Sequence, residues 1–280
     1  MQHVSSQDGT QLAYDRVGSG PPVILVGGAL SDRNGSAKLA QLLAPHFTVI
    51  SYDRRGRGDS GDTPPYSVDR EIEDLAALIA KMGGSAAVFG MSSGAVLALK
   101  AADAGLPITY LALYEPPFVD DGSGTAPPKD AATKLTEMVA AGRRGDAVEY
   151  FMIKVVGAPQ ADVARMTKSP MWAMQEQLAH TLAYDVILLG NWAVPSADIS
   201  DVAVPALVMG GESSPPKLRH AAAAVAAALP QARRHILKGQ THAVDEAVLA
   251  PMLIEFFQGN AGAGTVSRCL VPLCGDTERS

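Results

Sequence analysis

Short runs that are apolar at every position, separated by stretches of helical periodicity, constrain this chain more than any other feature. The first run is Val23-Ile24-Leu25-Val26, entered through Pro21-Pro22 and left at Gly27-Gly28. A run this short, apolar throughout and bounded by turn residues reads as a strand buried on both faces. A helical stretch over residues 37–43 and a second strand over 47–52 follow. From Val68 the apolar positions Ile72, Leu75, Leu78, Ile79 and Met82 recur at helical steps until Gly83-Gly84. Strand 86–89, an Ala-rich helix through Ala102 and strand 108–113 continue the alternation. This order predicts an α/β fold with a doubly wound, mostly parallel sheet.

The β pattern stops between about Pro116 and Ser200, where helical stretches are expected at 131–141, 146–155, 162–166 and 171–189. It resumes with strand 206–209, helix 217–229, strand 234–237 and helix 245–257. Residues 1–116 and 201–258 are therefore expected to form one core, and 117–200 a helical cap inserted after the sixth strand. Residues 259–280 carry Gly, Ser, Thr and charge around one apolar patch, Leu270-Val271-Pro272-Leu273, and read as a tail. Both cysteines, Cys269 and Cys274, lie in that tail, so no disulfide framework is expected to hold the fold.

The net charge of −6 comes from 23 basic and 29 acidic residues spread along the chain. With no basic stripe, a nucleic-acid partner is not expected. The N-terminus lacks a basic-then-apolar leader, and no stretch approaches about 18 uninterrupted apolar residues. A cytoplasmic protein is expected, with no membrane partner, as a monomer or homodimer acting on a small molecule. The dispersed histidines offer no metal-ligand spacing and no Gly-x-Gly-x-x-Gly loop is present, so neither metal nor cofactor is expected.

Gly90-Met91-Ser92-Ser93-Gly94 falls between a buried strand and a helix. A serine there would project its hydroxyl above the carboxyl ends of the strands, beside a helix N-terminus that favours negative charge. A serine hydroxyl is a weak nucleophile near neutral pH and needs a base, for which an imidazole is suited. Of the six histidines, His242 alone sits in a loop between a strand and a following helix, Lys238-Gly239-Gln240-Thr241-His242-Ala243. That places it at the same edge of the sheet.

With these elements in view, residues 8–258 resemble the α/β-hydrolase superfamily, in its serine-nucleophile branch with a helical lid. Asp53-Arg54-Arg55-Gly56-Arg57-Gly58-Asp59-Ser60 looks like the family's turn after its fourth strand, taken alone a solvated turn with a structural role. Gly27-Gly28-Ala29 resembles its oxyanion loop, which assigns the oxyanion donors to the N–H groups of Ala29 and Ser93. The family's usual acid follows the seventh strand, but Gly211-Glu212-Ser213-Ser214 has serine at that place. Two substitutes remain: Glu115, at the end of the sixth strand where haloalkane dehalogenases carry their acid, and Glu212. Glu115 is preferred as partner of Ser92 and His242, with Glu212 as the alternative acid.

The insert carries Trp172, Trp192 and half of the methionines. Trp172 and Trp192, with Met91 beside the nucleophile, are expected to line an apolar substrate pocket. The resemblance implies a serine hydrolase cleaving an ester, lactone or thioester of a small, partly apolar substrate through an acyl-enzyme. The alternative is a ligand-binding protein or a cofactor-free lyase or cyclase on the same scaffold.

Overall fold

A computed structural model describes residues 1–119 and 126–259. The tail beyond, with Cys269, Cys274 and the patch 270–273, lies outside the described residues.

The sheet has eight strands: β1 (Gln2–Ser5), β2 (Gln11–Val17), β3 (Pro22–Val26), β4 (Thr48–Tyr52), β5 (Ala86–Met91), β6 (Ile108–Tyr114), β7 (Ala206–Gly211) and β8 (Ala232–Leu237). Their spatial order is β1-β2-β4-β3-β5-β6-β7-β8. From β4 to β8 every pairing is parallel, while β1 pairs antiparallel with β2 and β2 with β4. This is an α/β-hydrolase fold. The first two strands are not anticipated by the sequence reading, because β2 holds only Leu12, Ala13 and Tyr14 buried between Gln11 and the polar Asp15-Arg16, and β1 is largely exposed. Neither shows the continuous apolar run that marks the central strands.

The connecting helices are α1 (Ala37–Leu43), α2 (Val68–Lys81), α3 (Ser93–Asp103), α4 (Ala131–Ala140), α5 (Arg144–Tyr150), α6 (Gln160–Met166), α7 (Trp172–Gln177), α8 (Leu182–Leu189), α9 (Pro216–Ala228) and α10 (Glu246–Phe257). Strand side chains alternate faces, and the core divides accordingly. Ile24, Val26, Val88, Leu111, Leu113 and Val208 pack with α2, α3 and α9. Val23, Leu25, Phe89, Ala112, Leu207 and Met209 face α1 and α10.

Between β6 and β7 the chain forms α4 to α8, with a π-helical segment Phe151–Val156 continuing α5. The single helix expected over 171–189 is instead α7, a 3-10 turn Ala179–Thr181 and α8. α8 packs on α3 and α2, so this helical layer rests on the core through its last helix.

Candidate active site

Ser92 sits between β5 and α3 with φ 56° and ψ −124°, a backbone conformation that disfavours any residue with a Cβ. It is held by an N–H bond to the Tyr114 carbonyl at 2.9 Å, and its own carbonyl accepts from Ala95 N–H at 2.9 Å. The flanking glycines are steric necessities. A Cβ on Gly90 would enter the backbone of Gly94 and Ala95, and one on Gly94 would strike the carbonyls of Val26 and Gly27. The Ser92 side chain makes no capping bond to α3, which leaves its hydroxyl free for chemistry.

Glu115 follows β6 immediately and also has positive φ, 48°. Its carboxylate is fully buried, with Oε1 accepting from the Gly211 N–H at 2.7 Å and Oε2 lying 2.7 Å from His242 Nδ1. Burial pushes the carboxyl pKa up, but hydrogen bonds from His242, Ser214 and Gly211 outweigh it and hold the group below its ordinary value. The carboxylate is therefore ionised against the imidazole, whose Nδ1–H donates to it. That leaves Nε2 as the nitrogen able to accept a proton.

The loop carrying His242 is fixed from beneath. Tyr114 Oη donates to the Thr241 carbonyl at 2.5 Å, and Ser213 N–H donates to the Gln240 carbonyl at 2.8 Å. Glu212, the alternative acid, is exposed and accepts from the Gly239 N–H at 3.0 Å. It braces the histidine loop from outside and does not touch the ring.

Ser92 and His242 line one cleft of about 380 Å³ with Gly28, Ala29 and Met91. The remaining wall is chiefly Leu25, Leu39, Phe89, Val244 and Leu249, from the side of the sheet covered by α1 and α10. Gly28 abuts Ser92, since a Cβ there would lie 3.0 Å from Ser92 Cβ. Ser93 is the first residue of α3, so its N–H has no carbonyl one turn back to bond. Among the described residues no group of His, Cys, Asp and Glu is arranged to hold a metal ion.

The tryptophans fall elsewhere, which corrects the expectation that they line this pocket. Trp192 is buried in the packing between the α4 to α8 layer and the sheet, and Trp172 packs against the same cluster with Nε1 donating to Glu176 at 2.9 Å. Neither belongs to the cleft wall. Their apolar surface is consumed by internal packing of the layer that contains them.

The arginine turn is also unlike a solvated turn. Arg54, Arg55 and Arg57 are at most 2% exposed. Arg54 makes two bonds to Glu71, at 2.6 and 2.7 Å, and one of 2.9 Å to Asp185. Arg55 pairs with Asp74 at 2.7 Å, and Arg57 with Asp185 at 2.9 Å. Burial pushes the carboxyls of Glu71 and Asp185 up, but the neighbouring arginines prevail and hold both below the ordinary range. Sequence reasoning missed Asp185, although a lone acid within the apolar run Leu182–Leu189 was a signal that a buried partner was needed.

Comparison with known proteins bears on this arrangement. Residues 23–250 match the model of the alpha/beta hydrolase family. The chain belongs to that family. A crystal structure of an alpha/beta hydrolase from Sphaerobacter thermophilus is 57% identical, covers 91% of this chain and 100% of its own, and superposes with a TM-score of 0.88. A thermophilic esterase from Thermogutta terrifontis shares the fold at 20% identity and a TM-score of 0.73, with 92% and 98% of the two chains covered. An uncharacterized hydrolase of Bacillus subtilis, YraK, is 39% identical over 95 residues, 32% of this chain and 35% of its own. The chain thus spans about a third of the length of the curated relatives it matches.

Among the described residues no helix is long and apolar enough to cross a membrane.

Proposed function

We propose that this alpha/beta hydrolase is a serine hydrolase that cleaves a carboxylic ester, lactone or thioester through an acyl-enzyme. The observation that carries the reading is the buried Glu115 carboxylate 2.7 Å from Nδ1 of a histidine that shares a cleft with the strained Ser92. His242 Nε2 takes the Ser92 hydroxyl proton as Oγ attacks the carbonyl carbon, and Glu115 stabilises the imidazolium that forms. The N–H groups of Ala29 and Ser93 receive the developing oxyanion. Collapse of the tetrahedral species expels the alcohol or thiol, protonated by His242, and water enters by the reverse sequence to release the acid.

The apolar wall of Leu25, Leu39, Phe89, Val244 and Leu249 suits a small, partly apolar substrate, and the helical layer of α4 to α8 serves as a cap. The test is labelling by a fluorophosphonate. Wild-type protein is expected to carry the label on Ser92, while a folded Ser92→Ala variant carries none. An unlabelled but folded wild type would instead favour a binding protein or a cofactor-free lyase on this scaffold.

A further inference from the structure

One buried carboxylate from outside the core reaches both loops that flank Ser92. Asp185, on α8, is fully buried. Its Oδ1 accepts from Ser93 Oγ at 2.8 Å and from Arg54 Nη1 at 2.9 Å, and both its oxygens accept from Arg57 Nη2 at 2.9 Å. The other arm of Arg57, Nη1, donates to the Gly28 carbonyl at 2.5 Å. A chain of charge-assisted bonds therefore runs from α8 through Arg57 to the Gly28–Ala29 peptide, and a second bond runs directly from Asp185 to Ser93.

The peptide geometry gives this chain a consequence. In a planar trans peptide the C=O and N–H point in opposite directions. Holding the Gly28 carbonyl toward the buried arginine turns the Ala29 N–H the other way, toward the cleft that Ala29 lines. The tether on Ser93 fixes the residue whose N–H is the second donor. Asp185 thereby governs the aim of both amides, and aim is what such donors contribute to a rate.

We infer that Asp185 is a positioning residue which, through Arg57 and Ser93, fixes the Ala29 and Ser93 N–H groups for the oxyanion. The inference rests on the acyl-transfer reading. Its competitor is a purely structural ion cluster gluing the helical layer to the sheet, and the protein contains a control for that. Arg55 and Asp74 form another buried two-bond pair in the same turn, at 2.7 and 2.8 Å, that touches neither Gly28 nor Ser93.

The experiment compares full-length wild type, Asp185→Asn, Arg57→Lys and Asp74→Asn for kcat and KM on p-nitrophenyl acetate, inhibition by phenylboronic acid, and thermal unfolding. Phenylboronic acid forms a tetrahedral adduct on a reactive serine and so reads the oxyanion donors. Asp185→Asn is expected to lower kcat about 10- to 100-fold with KM within about twofold, and to weaken boronate inhibition by a similar factor. Asp74→Asn should lower the unfolding temperature with neither change. Unaltered boronate inhibition in Asp185→Asn, or an equal loss in Asp74→Asn, would overturn the inference. If Asp185→Asn does not fold, Arg57→Lys decides by the same readouts, since an ammonium cannot hold Asp185 and the Gly28 carbonyl together as the guanidinium fork does. Fluorophosphonate labelling of the wild type separates the failures: an unlabelled wild type defeats acyl transfer itself, whereas a labelled wild type with an indifferent Asp185→Asn defeats only the role of Asp185.

Discussion

Glu115 Oε2 lies 2.7 Å from His242 Nδ1 although the two residues are 127 positions apart in the chain. The same carboxylate anchors the start of the turn after β7 through the Gly211 N–H. The carboxylate beside His242 thus comes from the end of β6, while the turn where the family usually carries its acid supplies donors to that carboxylate, the Gly211 N–H and the Ser214 side chain.

Replacing Glu115 by Gln keeps the shape and removes the charge that stabilises the imidazolium. Turnover of a chromogenic ester should fall by about two to four orders of magnitude, with little change in KM. Glu212→Gln, which loses only an exposed bond to Gly239, should stay within a fewfold of wild type. The reverse ranking in steady-state kinetics would show that the ring relies on a different carboxylate.

Stability toward acid follows from the same group. The folded-state pKa of Glu115 is depressed from its ordinary 4.5, because hydrogen bonds outweigh burial. A depressed acid contributes stability that is present above the unfolded-state value and lost as pH falls through the folded one. Below about pH 4.5, urea unfolding should show wild type losing stability more steeply than Glu115→Gln. Glu71 and Asp185, depressed likewise together with Asp8, Asp15, Asp130 and Asp245, contribute to the slope common to both proteins.

The central strands and the loops holding Ser92 and His242 are legible because each is a local pattern: an apolar run, a Gly-x-Ser-x-Gly turn, a strand-to-helix loop. What sequence alone hides is long-range pairing. Arg54 resembles a solvated residue until Glu71 and Asp185, 17 and 131 positions away, are brought against it. Trp172 and Trp192 mislead for the related reason that an apolar ring carries no mark of whether it faces a ligand or its own neighbours. The strands β1 and β2 escape notice because β1 is exposed and the buried part of β2 is only three residues long, cut off by Asp15-Arg16.

Arg54 is the cation whose loss should cost most. Arg54→Ala leaves Glu71 without its bidentate partner and Asp185 with Arg57 as its only cation beside the Ser93 hydroxyl, all within a buried site. Breaking such a cluster from one side costs about 3–5 kcal/mol, since the remaining carboxylates stay desolvated. Denaturant unfolding should register that loss, and a value below about 1 kcal/mol would mean that water reaches the cluster.

Gly94→Ala tests the packing beneath the nucleophile. The added methyl would run into the carbonyls of Val26 and Gly27, which are backbone atoms of β3 and its exit and cannot swing aside. The cost should reach about 1–3 kcal/mol in unfolding free energy. Because the displaced segment includes Gly27, next to the Gly28–Ala29 peptide, fluorophosphonate labelling of Ser92 should slow even at temperatures where the variant remains folded.

Val244 offers a way to resize the cleft without cutting into the core, because it is only partly buried and stands on the wall just beyond His242. Val244→Trp would place an indole in a space of about 380 Å³ that Leu39 and Phe89 also line. Filling part of that volume should leave acetyl esters near wild-type rates, because Ser92, His242 and Glu115 are untouched, and should raise KM most for the longest acyl chains. Each excluded methylene withholds about 0.8 kcal/mol of apolar burial, so discrimination against a hexanoyl ester relative to an acetyl ester should grow by one to two orders of magnitude. A uniform loss across chain lengths would indicate that the acyl group lies elsewhere and that the substitution acts on the His242 loop. The comparison of kcat/KM across a p-nitrophenyl ester series therefore locates the acyl chain as well as measuring the space it occupies.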